Sequence, residues 1–200
     1  MRVVILRHGT TELNKQGMIQ GSNVDPDLSK EGRAYAEKAA KNFDPSQFDA
    51  VYASPLKRAQ QTARIFVGGD KTPIITDKRI EELSYGSWDG KSSLEYRKKH
   101  PDAFNSKGLI NDNIYKYASD VEKREDFRKR IAAFFDDLYK EHANDTVLVV
   151  CHGVVSRMIC AHFLTNGDIK YFDQMQNCGL AELDINKEYG TLVYYNRVLA

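Results

Sequence analysis

The sequence predicts an α/β protein, a three-layer α/β/α sandwich whose sheet is mostly parallel and has an antiparallel edge. Three short, largely apolar runs, at residues 3–6, 49–53 and 146–150, are typical of buried strands. Stretches with helical periodicity separate these runs, and such alternation favours parallel pairing. Two closing runs, residues 179–185 and 191–198, flank a polar turn as the arms of a hairpin do, and they supply the antiparallel edge.

Four helices are expected where apolar residues recur with the period of an α-helix. The periodic segments are residues 36–43, 56–66, 127–138 and 154–163. Their ends carry start signals: Ser29 is an N-cap before the first, and Pro55 suits the first turn of the second. Ser119 with Glu122 forms a capping box before the third, and Asn166-Gly167 ends the fourth.

We expect one domain over residues 1–200, with an insertion or lid at about residues 91–118. This segment is polar and rich in Lys, Asn and Tyr, and Pro101 and Gly108 interrupt any continuous period. Two interpretations stay open for its cations, contact with an anionic substrate or a solvated helix face. These cations are Arg97, Lys98, Lys99 and Lys107.

Composition excludes several classes of partner. The 200 residues include 29 Lys and Arg against 28 Asp and Glu, a formal net charge of +1, so no overall field attracts nucleic acid or an anionic membrane. No apolar run is long enough for a signal-peptide core or a membrane span, and we expect a cytoplasmic protein. Whether it forms a homo-oligomer is left open. The cysteines lack metal-ligand spacing and are expected to be buried free thiols. They are Cys151, Cys160 and Cys178.

Two of the predicted strands end in the same way, with a histidine followed by a glycine. The histidines are His8 and His152. Carboxyl ends of parallel strands meet at one sheet edge, where ligands of open α/β sheets bind. Arg7 lies beside His8, and Arg58 comes early in the helix after the third predicted strand. We expect these side chains to form a compact cationic pocket, for which phosphate is the natural ligand.

Alternative interpretations of these residues are a structural role and a zinc site. A single histidine at a strand end is more often structural, so the hypothesis depends on the repeated pattern and on the arginines. Two histidines and a glutamate are suitable zinc ligands. The flanking arginines would repel a cation, however, and no H-E-x-x-H pattern occurs. We therefore expect no metal and no other cofactor.

Four segments carry a set of motifs between residues 7 and 153. They are Arg7-His8-Gly9-Thr10 with Asn14, residues 54–62, residues 80–90 and Val150-Cys151-His152-Gly153. The set resembles the histidine phosphatase superfamily, which includes cofactor-dependent phosphoglycerate mutase. The segments follow one another in family order, and together they are specific. The resemblance implies a phosphoglycerate mutase-like fold.

The resemblance also implies roles for individual residues. His8 matches the nucleophile that becomes phosphorylated, and Glu82 matches the proton donor, chosen over Glu81 by its spacing to Gly86. Arg7, Arg58 and His152 complete the catalytic set. The residues expected to bind the phosphate or the substrate are Arg7, Asn14, Gln20, Arg58, His152 and Gly153.

Two departures from the family pattern lie outside the expected reacting centre. Asp89 replaces the usual glutamate of the acid motif, and residues 25–28 only approximate Asp-x-Pro-Leu. The single tryptophan, Trp88, is interpreted as packing behind the acid motif. We expect neither departure to alter the chemistry.

The expected function is hydrolysis of a small phosphorylated metabolite through a phosphohistidine on His8. The alternative is a cofactor-dependent phosphoglycerate mutase, which would share the pocket and pass the phosphoryl group to a second hydroxyl. Mutases of this family resemble one another in a longer insertion with paired arginines, and residues 91–118 contain no such pair. A phosphate-binding pseudoenzyme is less favoured, because no residue needed for the chemistry is missing.

Overall fold

The computed structural model of the protein describes residues 1–69 and 72–200, and one six-stranded sheet lies at its centre. The strands are β1 (Arg2–Arg7), β2 (Ala50–Ala53), β3 (Ile75–Thr76), β4 (Thr146–Cys151), β5 (Leu180–Ile185) and β6 (Gly190–Arg197). They are ordered β3-β2-β4-β1-β5-β6. The first four in this order are parallel, whereas β5 and β6 pair antiparallel. The predicted mostly parallel sheet with an antiparallel edge is confirmed.

Helices cover both faces of this sheet. They are α1 (Glu12–Lys15), α2 (Lys30–Ala40), α3 (Lys57–Phe66), α4 (Ser93–Lys99), α5 (Arg124–His142) and α6 (Gly153–Leu164). Val3 and Ile5 of β1 pack with α5 and α6, whereas Val4 and Leu6 pack with α2 and α3. Successive side chains of a strand point to opposite faces, so a strand between two helical layers must be apolar at every position. The predicted three-layer sandwich is confirmed.

The starts of α2 and α3 differ in how well they follow their sequence signals. Ser29 is the N-cap of α2, and its hydroxyl accepts a hydrogen bond from the Gly32 N–H at 2.9 Å, as predicted. Pro55 does not lie in the first turn of α3. Leu56 is the N-cap there and the helix begins at Lys57, because Pro55 belongs to the turn that leaves β2.

The capping box predicted before α5 is wrong. The N-cap is Lys123, and neither Ser119 nor Glu122 caps the helix. The backbone of Ser119 instead pairs with Ser87, accepting a hydrogen bond from its N–H at 3.0 Å. The Glu122 carboxylate forms an ion pair with Arg130 at 2.7 Å. Both residues therefore take part in tertiary contacts instead of capping α5.

Residues 91–118 contain α4 and pack with Ile19 and Trp88 around a small apolar cluster. Its buried members are Ile19, Trp88, Ala103, Phe104 and Ile114. Trp88 is 2% exposed and its ring contacts those of Tyr96, His100 and Phe104, which confirms its packing role. The assignment of this segment as a lid remains a prediction.

Two other expectations concern the whole chain. The three cysteines are buried free thiols, as predicted. Among the helices of residues 1–69 and 72–200, none combines the length and the apolar character that crossing a membrane requires.

Candidate active site

His8 and His152 meet at the carboxyl edge of the sheet because they follow the adjacent parallel strands β1 and β4. The His8 N–H donates to the Cys151 carbonyl at 2.9 Å, which extends the ladder to the histidine itself. The two imidazole centroids are 5.2 Å apart. Both rings are buried, with 3% of His8 and none of His152 exposed. The predicted convergence of the two histidines is observed.

A backbone carbonyl fixes the orientation of the His8 ring. Nδ1 lies 2.7 Å from the Gly9 carbonyl oxygen, which can only accept, so Nδ1 carries the proton and Nε2 keeps its lone pair. Burial is the main cause that lowers the pKa of His8 well below its usual value, and the charges of Arg58 and Arg7 add to it. The ring is therefore neutral at physiological pH.

His152 is oriented by Ser54, which follows β2. Nε2 of His152 lies 2.7 Å from Ser54 Oγ, and Nδ1 is buried without a hydrogen-bond partner among the described residues. Burial, and after it the charge of Arg58, lowers the pKa of His152 well below its usual value. A neutral imidazole ring carries one proton, on Nδ1 or on Nε2, and the hydrogen-bond partner of Nε2 determines which nitrogen carries it.

Arg7 and Arg58 are held by backbone carbonyls rather than by carboxylates. Arg7 donates through Nη1 to the Met175 carbonyl. Arg58 donates through Nη1 to Val24 at 2.8 Å and through Nη2 to Gly21 at 3.1 Å. In both arginines Nε is buried and has no partner within the described parts of the chain. Burial lowers the pKa of both guanidinium groups, and each retains a positive charge and an unused donor.

Asn14 and Gln20 turn their amide oxygens to the same hydroxyl group. The Thr11 hydroxyl lies 3.2 Å from Asn14 Oδ1 and donates to Gln20 Oε1 at 2.9 Å. This arrangement leaves the amide nitrogens for the cavity that both residues line, and Gln20 Nε2 is buried without a partner in the described chain. Both residues thus present donors, the type of group that an anion needs.

The side chain of Glu82 lies against the N-terminus of α6, and 5% of the residue is exposed. Its Oε2 accepts a hydrogen bond from the Val154 N–H at 3.1 Å, and its Oε1 accepts one from the Leu83 N–H at 3.0 Å. The helix N-terminus favours an acidic side chain at this position. Glu81 does not line the cavity, in agreement with the spacing argument that selected Glu82.

A cavity of about 460 Å³ opens beside these groups. Arg7, His8, Asn14, Gln20 and Glu82 form its polar wall. Arg58 and His152 lie behind this wall and are fully buried. Gly153 is not part of the wall: a Cβ atom there would lie 1.8 Å from Nε2 of Gln174, so the glycine makes room for that side chain. A phosphate contact by Gly153 remains a prediction.

Asp89 and Asp25, at the two positions that depart from the family pattern, make hydrogen bonds next to Arg58. Asp89 holds the loop whose Gly21 and Val24 carbonyls bind Arg58. Asp89 accepts hydrogen bonds from the Gly21 N–H at 2.6 Å and the Asn23 N–H at 3.3 Å. Asp25 accepts one from the Lys57 N–H at 2.7 Å, at the start of α3. Neither carboxylate lines the cavity.

Sequence reasoning did not assign roles to several residues that shape the site. Ser54 belongs to the motif segment at residues 54–62, but its contact with His152 depends on the neighbouring strand β4. Arg157 and Gln174 line the cavity. Arg157 interrupts an apolar helical run, which is a usable signal, whereas Gln174 lies in an irregular segment that gave none.

The described residues offer no alternative centre for a metal ion. Within residues 1–69 and 72–200, His, Cys, Asp and Glu side chains nowhere gather in threes or more in a way that could hold one. Two neutral histidines, two buried arginines and a carboxyl group thus lie in or directly behind the wall of one cavity of an α/β protein, an arrangement that suits a phosphoryl group.

Comparison with known proteins agrees with this class. The sequence matches the family model of the histidine phosphatase superfamily (branch 1) over residues 3–198. The chain therefore belongs to the histidine phosphatase superfamily, and it is a phosphoric monoester hydrolase.

Individual relatives are phosphatases. Phosphoserine phosphatase 1 of Hydrogenobacter thermophilus is 32% identical over 162 residues, covering 80% of this chain and 75% of that protein. The adenosylcobalamin/alpha-ribazole phosphatase of Escherichia coli is 26% identical over 197 residues, covering 98% of this chain and 96% of that protein. The solved structure of the alpha-ribazole phosphatase from Shigella flexneri is 25% identical, covers 98% of this chain and 96% of that chain, and has a TM-score of 0.82.

Proposed function

We propose that this phosphatase hydrolyses phosphomonoesters of small metabolites through a phosphohistidine on Nε2 of His8, with Glu82 as general acid and then general base. The observation that supports this most is the 2.7 Å contact between Nδ1 of His8 and the Gly9 carbonyl. It leaves the lone pair on Nε2. The low pKa of the buried ring keeps that lone pair free of a proton at neutral pH.

Four buried donors without protein partners in the described chain suit the phosphoryl oxygens. They are Nε of Arg7, Nε2 of Gln20, Nε of Arg58 and Nδ1 of His152. An unsatisfied buried donor costs about 1–3 kcal/mol, and a bound anion would remove that cost. Hydrogen bonds from charged donors are also stronger where water is excluded.

In the first half-reaction, Nε2 of His8 attacks phosphorus while the bond from phosphorus to the ester oxygen breaks. The leaving oxygen takes the proton of the Glu82 carboxyl group, so the departing alcohol is neutral. Positive charge develops on the imidazole ring, and the Gly9 carbonyl stabilises it through Nδ1–H. The pocket donors hold the three equatorial oxygens.

In the second half-reaction, water replaces the alcohol. The Glu82 carboxylate takes a proton from water as the water oxygen attacks phosphorus and the N–P bond breaks. Inorganic phosphate leaves, and His8 and Glu82 return to their starting protonation. The arginines supply the positive charge that a metal supplies in other phosphatases, so we expect activity to survive a chelator.

The contribution of residues 91–118 to the cavity supports hydrolysis rather than mutase chemistry. The segment supplies Ser93, Gly108, Leu109 and Ile110 to the wall and none of its cations. Lys107 is exposed and pairs with Asp173, so a solvated face is the better interpretation of the cations. The named relatives act on different phosphomonoesters, which supports a small phosphorylated metabolite without selecting one compound.

Quenching turnover of a radiolabelled phosphomonoester and counting protein-bound phosphate tests the covalent step. Wild type should carry an adduct that survives alkali and is lost in acid, and His8→Ala should carry none. His162→Gln is the matched control, because His162 is not part of the cavity wall and should leave the adduct unchanged. An active wild type quenched in mid-turnover without any adduct would contradict covalent catalysis.

A second variant separates the role of Glu82 from that of the nucleophile. Glu82→Gln should form the adduct from p-nitrophenyl phosphate, whose leaving group needs no proton. It should turn over alkyl phosphates about 10²- to 10⁴-fold more slowly than wild type, the usual contribution of a general acid. Activity that disappears with a chelator and returns with zinc would support the metal alternative instead.

A further inference from the structure

The peptide group between His8 and Gly9 is held by two side chains that the proposed reaction does not use. Its N–H, which belongs to Gly9, donates to Thr62 Oγ1 at 2.9 Å. Its carbonyl, which belongs to His8, accepts a hydrogen bond from Nδ2 of Asn177 at 2.9 Å and a longer one from the Cys178 N–H at 3.4 Å. The N–H and the carbonyl of a planar trans peptide group point in opposite directions. Thr62 and Asn177 therefore hold this group from opposite sides.

The Thr62 hydroxyl is committed to this contact. Thr62 lies on α3 and is fully buried. Its hydroxyl donates its proton to the Arg58 carbonyl, four residues earlier in the helix, at 2.7 Å. Because a hydroxyl has only one proton, Oγ1 can meet the Gly9 N–H only as an acceptor. Thr62 thereby links the turn of α3 that carries Arg58 to the peptide group of the nucleophile.

Asn177 links the same peptide group to a second residue expected to bind the phosphate. It is half-buried and lies in the irregular segment before β5. Its Nδ2 carries two protons, and besides the His8 carbonyl it reaches Oδ1 of Asn14 at 3.5 Å. The Asn14 oxygen also accepts a hydrogen bond from the Thr11 N–H at 3.1 Å. His8 and Asn14 are thus joined through one side-chain amide.

The backbone freedom of Gly9 explains why such support matters. The Gly9 carbonyl orients the His8 ring through Nδ1, and it belongs to the peptide group directly after the held one. A glycine restricts its own backbone very little. A Cβ atom at this position would lie 3.2 Å from Cδ2 of Leu28, so close packing favours the glycine. Rotation of the His8–Gly9 peptide group would carry the Gly9 carbonyl away from Nδ1, and the two side chains oppose that rotation.

We propose that Thr62 and Asn177 are positioning residues for the nucleophile, which keep the Gly9 carbonyl on Nδ1 of His8 and so keep Nε2 directed at phosphorus. Neither side chain lines the cavity, so both act through His8 rather than on the substrate. Misplacing a reacting group by about 1 Å can cost about 10²-fold in rate. This inference rests on the proposed reaction at His8 and names the residues that hold its nucleophile.

Thr62→Val and Asn177→Leu test the proposal, because each removes one hydrogen bond and keeps a side chain of similar shape. With p-nitrophenyl phosphate, each should lower kcat by a factor on the order of 10². The inhibition constant of inorganic phosphate should stay close to the wild-type value, since the donors that bind it remain. Thr62→Ser keeps the hydroxyl group and should restore most of kcat.

The ¹⁵N NMR spectrum of the His8 ring reports the orientation directly. Wild type should carry the ring proton on Nδ1, whereas Thr62→Val and Asn177→Leu should show part of it on Nε2. Loss of folded protein lowers the intensity of the native signals and does not move this proton.

Thr165→Val and Asn42→Leu are the matched controls, because each makes the same substitution outside the cavity wall. The Thr165 hydroxyl donates to the Asp168 carbonyl at 2.9 Å. Nδ2 of Asn42 donates to the Leu199 carbonyl at 2.8 Å. Both controls should keep the wild-type kcat and the wild-type ¹⁵N shifts of His8.

Wild-type kcat and unchanged His8 shifts in either Thr62→Val or Asn177→Leu would overturn the positioning role, while phosphohistidine on the wild type would still support the reaction. A wild type that turns over without phosphohistidine would overturn the reaction itself. A lower kcat with unchanged His8 shifts and no rescue by Thr62→Ser would show a structural contribution only, and would also overturn the proposal. If Thr62→Val does not fold, the His8 shifts of Asn177→Leu decide, and unchanged shifts there overturn it.

Discussion

Replacing Ser54 by alanine removes the hydroxyl group that touches the ring of His152. Both residues are fully buried, and Nε2 lies 2.7 Å from Ser54 Oγ. Because the pKa of His152 is well below its usual value, the ring is neutral and carries one proton. Ser54 Oγ accepts a hydrogen bond from the Leu56 N–H at 3.3 Å, and among the described residues Nε2 of His152 is the acceptor within reach of the serine's own proton. The serine therefore directs the imidazole proton to Nδ1.

Two effects of Ser54→Ala can be given a magnitude. The buried Nε2 loses its partner, which should lower the free energy of unfolding by about 1–3 kcal/mol. Nδ1 also ceases to be a reliable donor to the phosphoryl oxygens. Loss of one preorganised donor of this kind lowers kcat by about 10²- to 10³-fold, or ~2.7–4 kcal/mol. We expect kcat/KM to fall by a factor on the order of 10², mainly through kcat.

Steady-state kinetics and ¹⁵N NMR of the imidazole rings measure this effect. Ser156→Ala is the matched control, because Ser156 is equally buried and its hydroxyl donates to the Gly153 carbonyl at 2.9 Å, within α6. The control should lose similar stability and keep wild-type kinetics. Wild-type kcat/KM in Ser54→Ala, with unchanged ¹⁵N shifts at His152, would refute the reasoning.

Three further variants test other parts of the site. Asp89→Asn leaves one carboxamide oxygen to accept hydrogen bonds from two loop N–H groups, which lie at 2.6 and 3.3 Å in the wild type. The loop that holds Arg58 should then be less rigid, and kcat/KM should fall roughly tenfold. Wild-type kinetics in this variant would show that Asp89 does not position Arg58. The pKa of His8 is lower in the folded state than its ordinary 6.5, so the unfolded state binds the extra proton and stability falls below about pH 6.5. Urea titrations should show that His8→Asn loses less stability than wild type on acidification, by up to ~1.4 kcal/mol per pH unit, and equal losses would contradict this. Inorganic phosphate at about 100 times its Kd should raise the free energy of unfolding of wild type by ~2.7 kcal/mol and that of Arg7→Gln far less; an equal rise would remove Arg7 from the phosphate site.

The sequence predicted that His8 and His152 meet, because chain direction and sheet topology alone determine their position. His8 and His152 follow apolar strands, and the carboxyl ends of parallel strands must share one edge of the sheet. Glu82 needed the motif spacing, since nothing in the local pattern distinguishes it from Glu81. The contact of Ser54 with His152 joins residues 98 positions apart, and no local pattern encodes such a contact.

Errors arose where tertiary contacts override a local signal. Ser119 and Glu122 satisfy the capping-box pattern, but Ser119 forms a backbone hydrogen bond with Ser87 and Glu122 forms an ion pair with Arg130. Capping is worth about 1 kcal/mol, which a partly buried ion pair and a backbone pair can outweigh. Arg157 was overlooked for the opposite reason, because its apolar neighbours indicated only a core helix.

The small cluster around Trp88 is separate from the two large cores that flank the sheet. A unit with its own apolar contacts can unfold locally without the rest of the domain. The carbonyl that orients His8 belongs to the very next residue, so such opening would admit the phosphomonoester and release alcohol and phosphate while the nucleophile stays aligned. The predicted lid would then govern access to the cavity, whereas the orientation of the nucleophile depends on the end of β1.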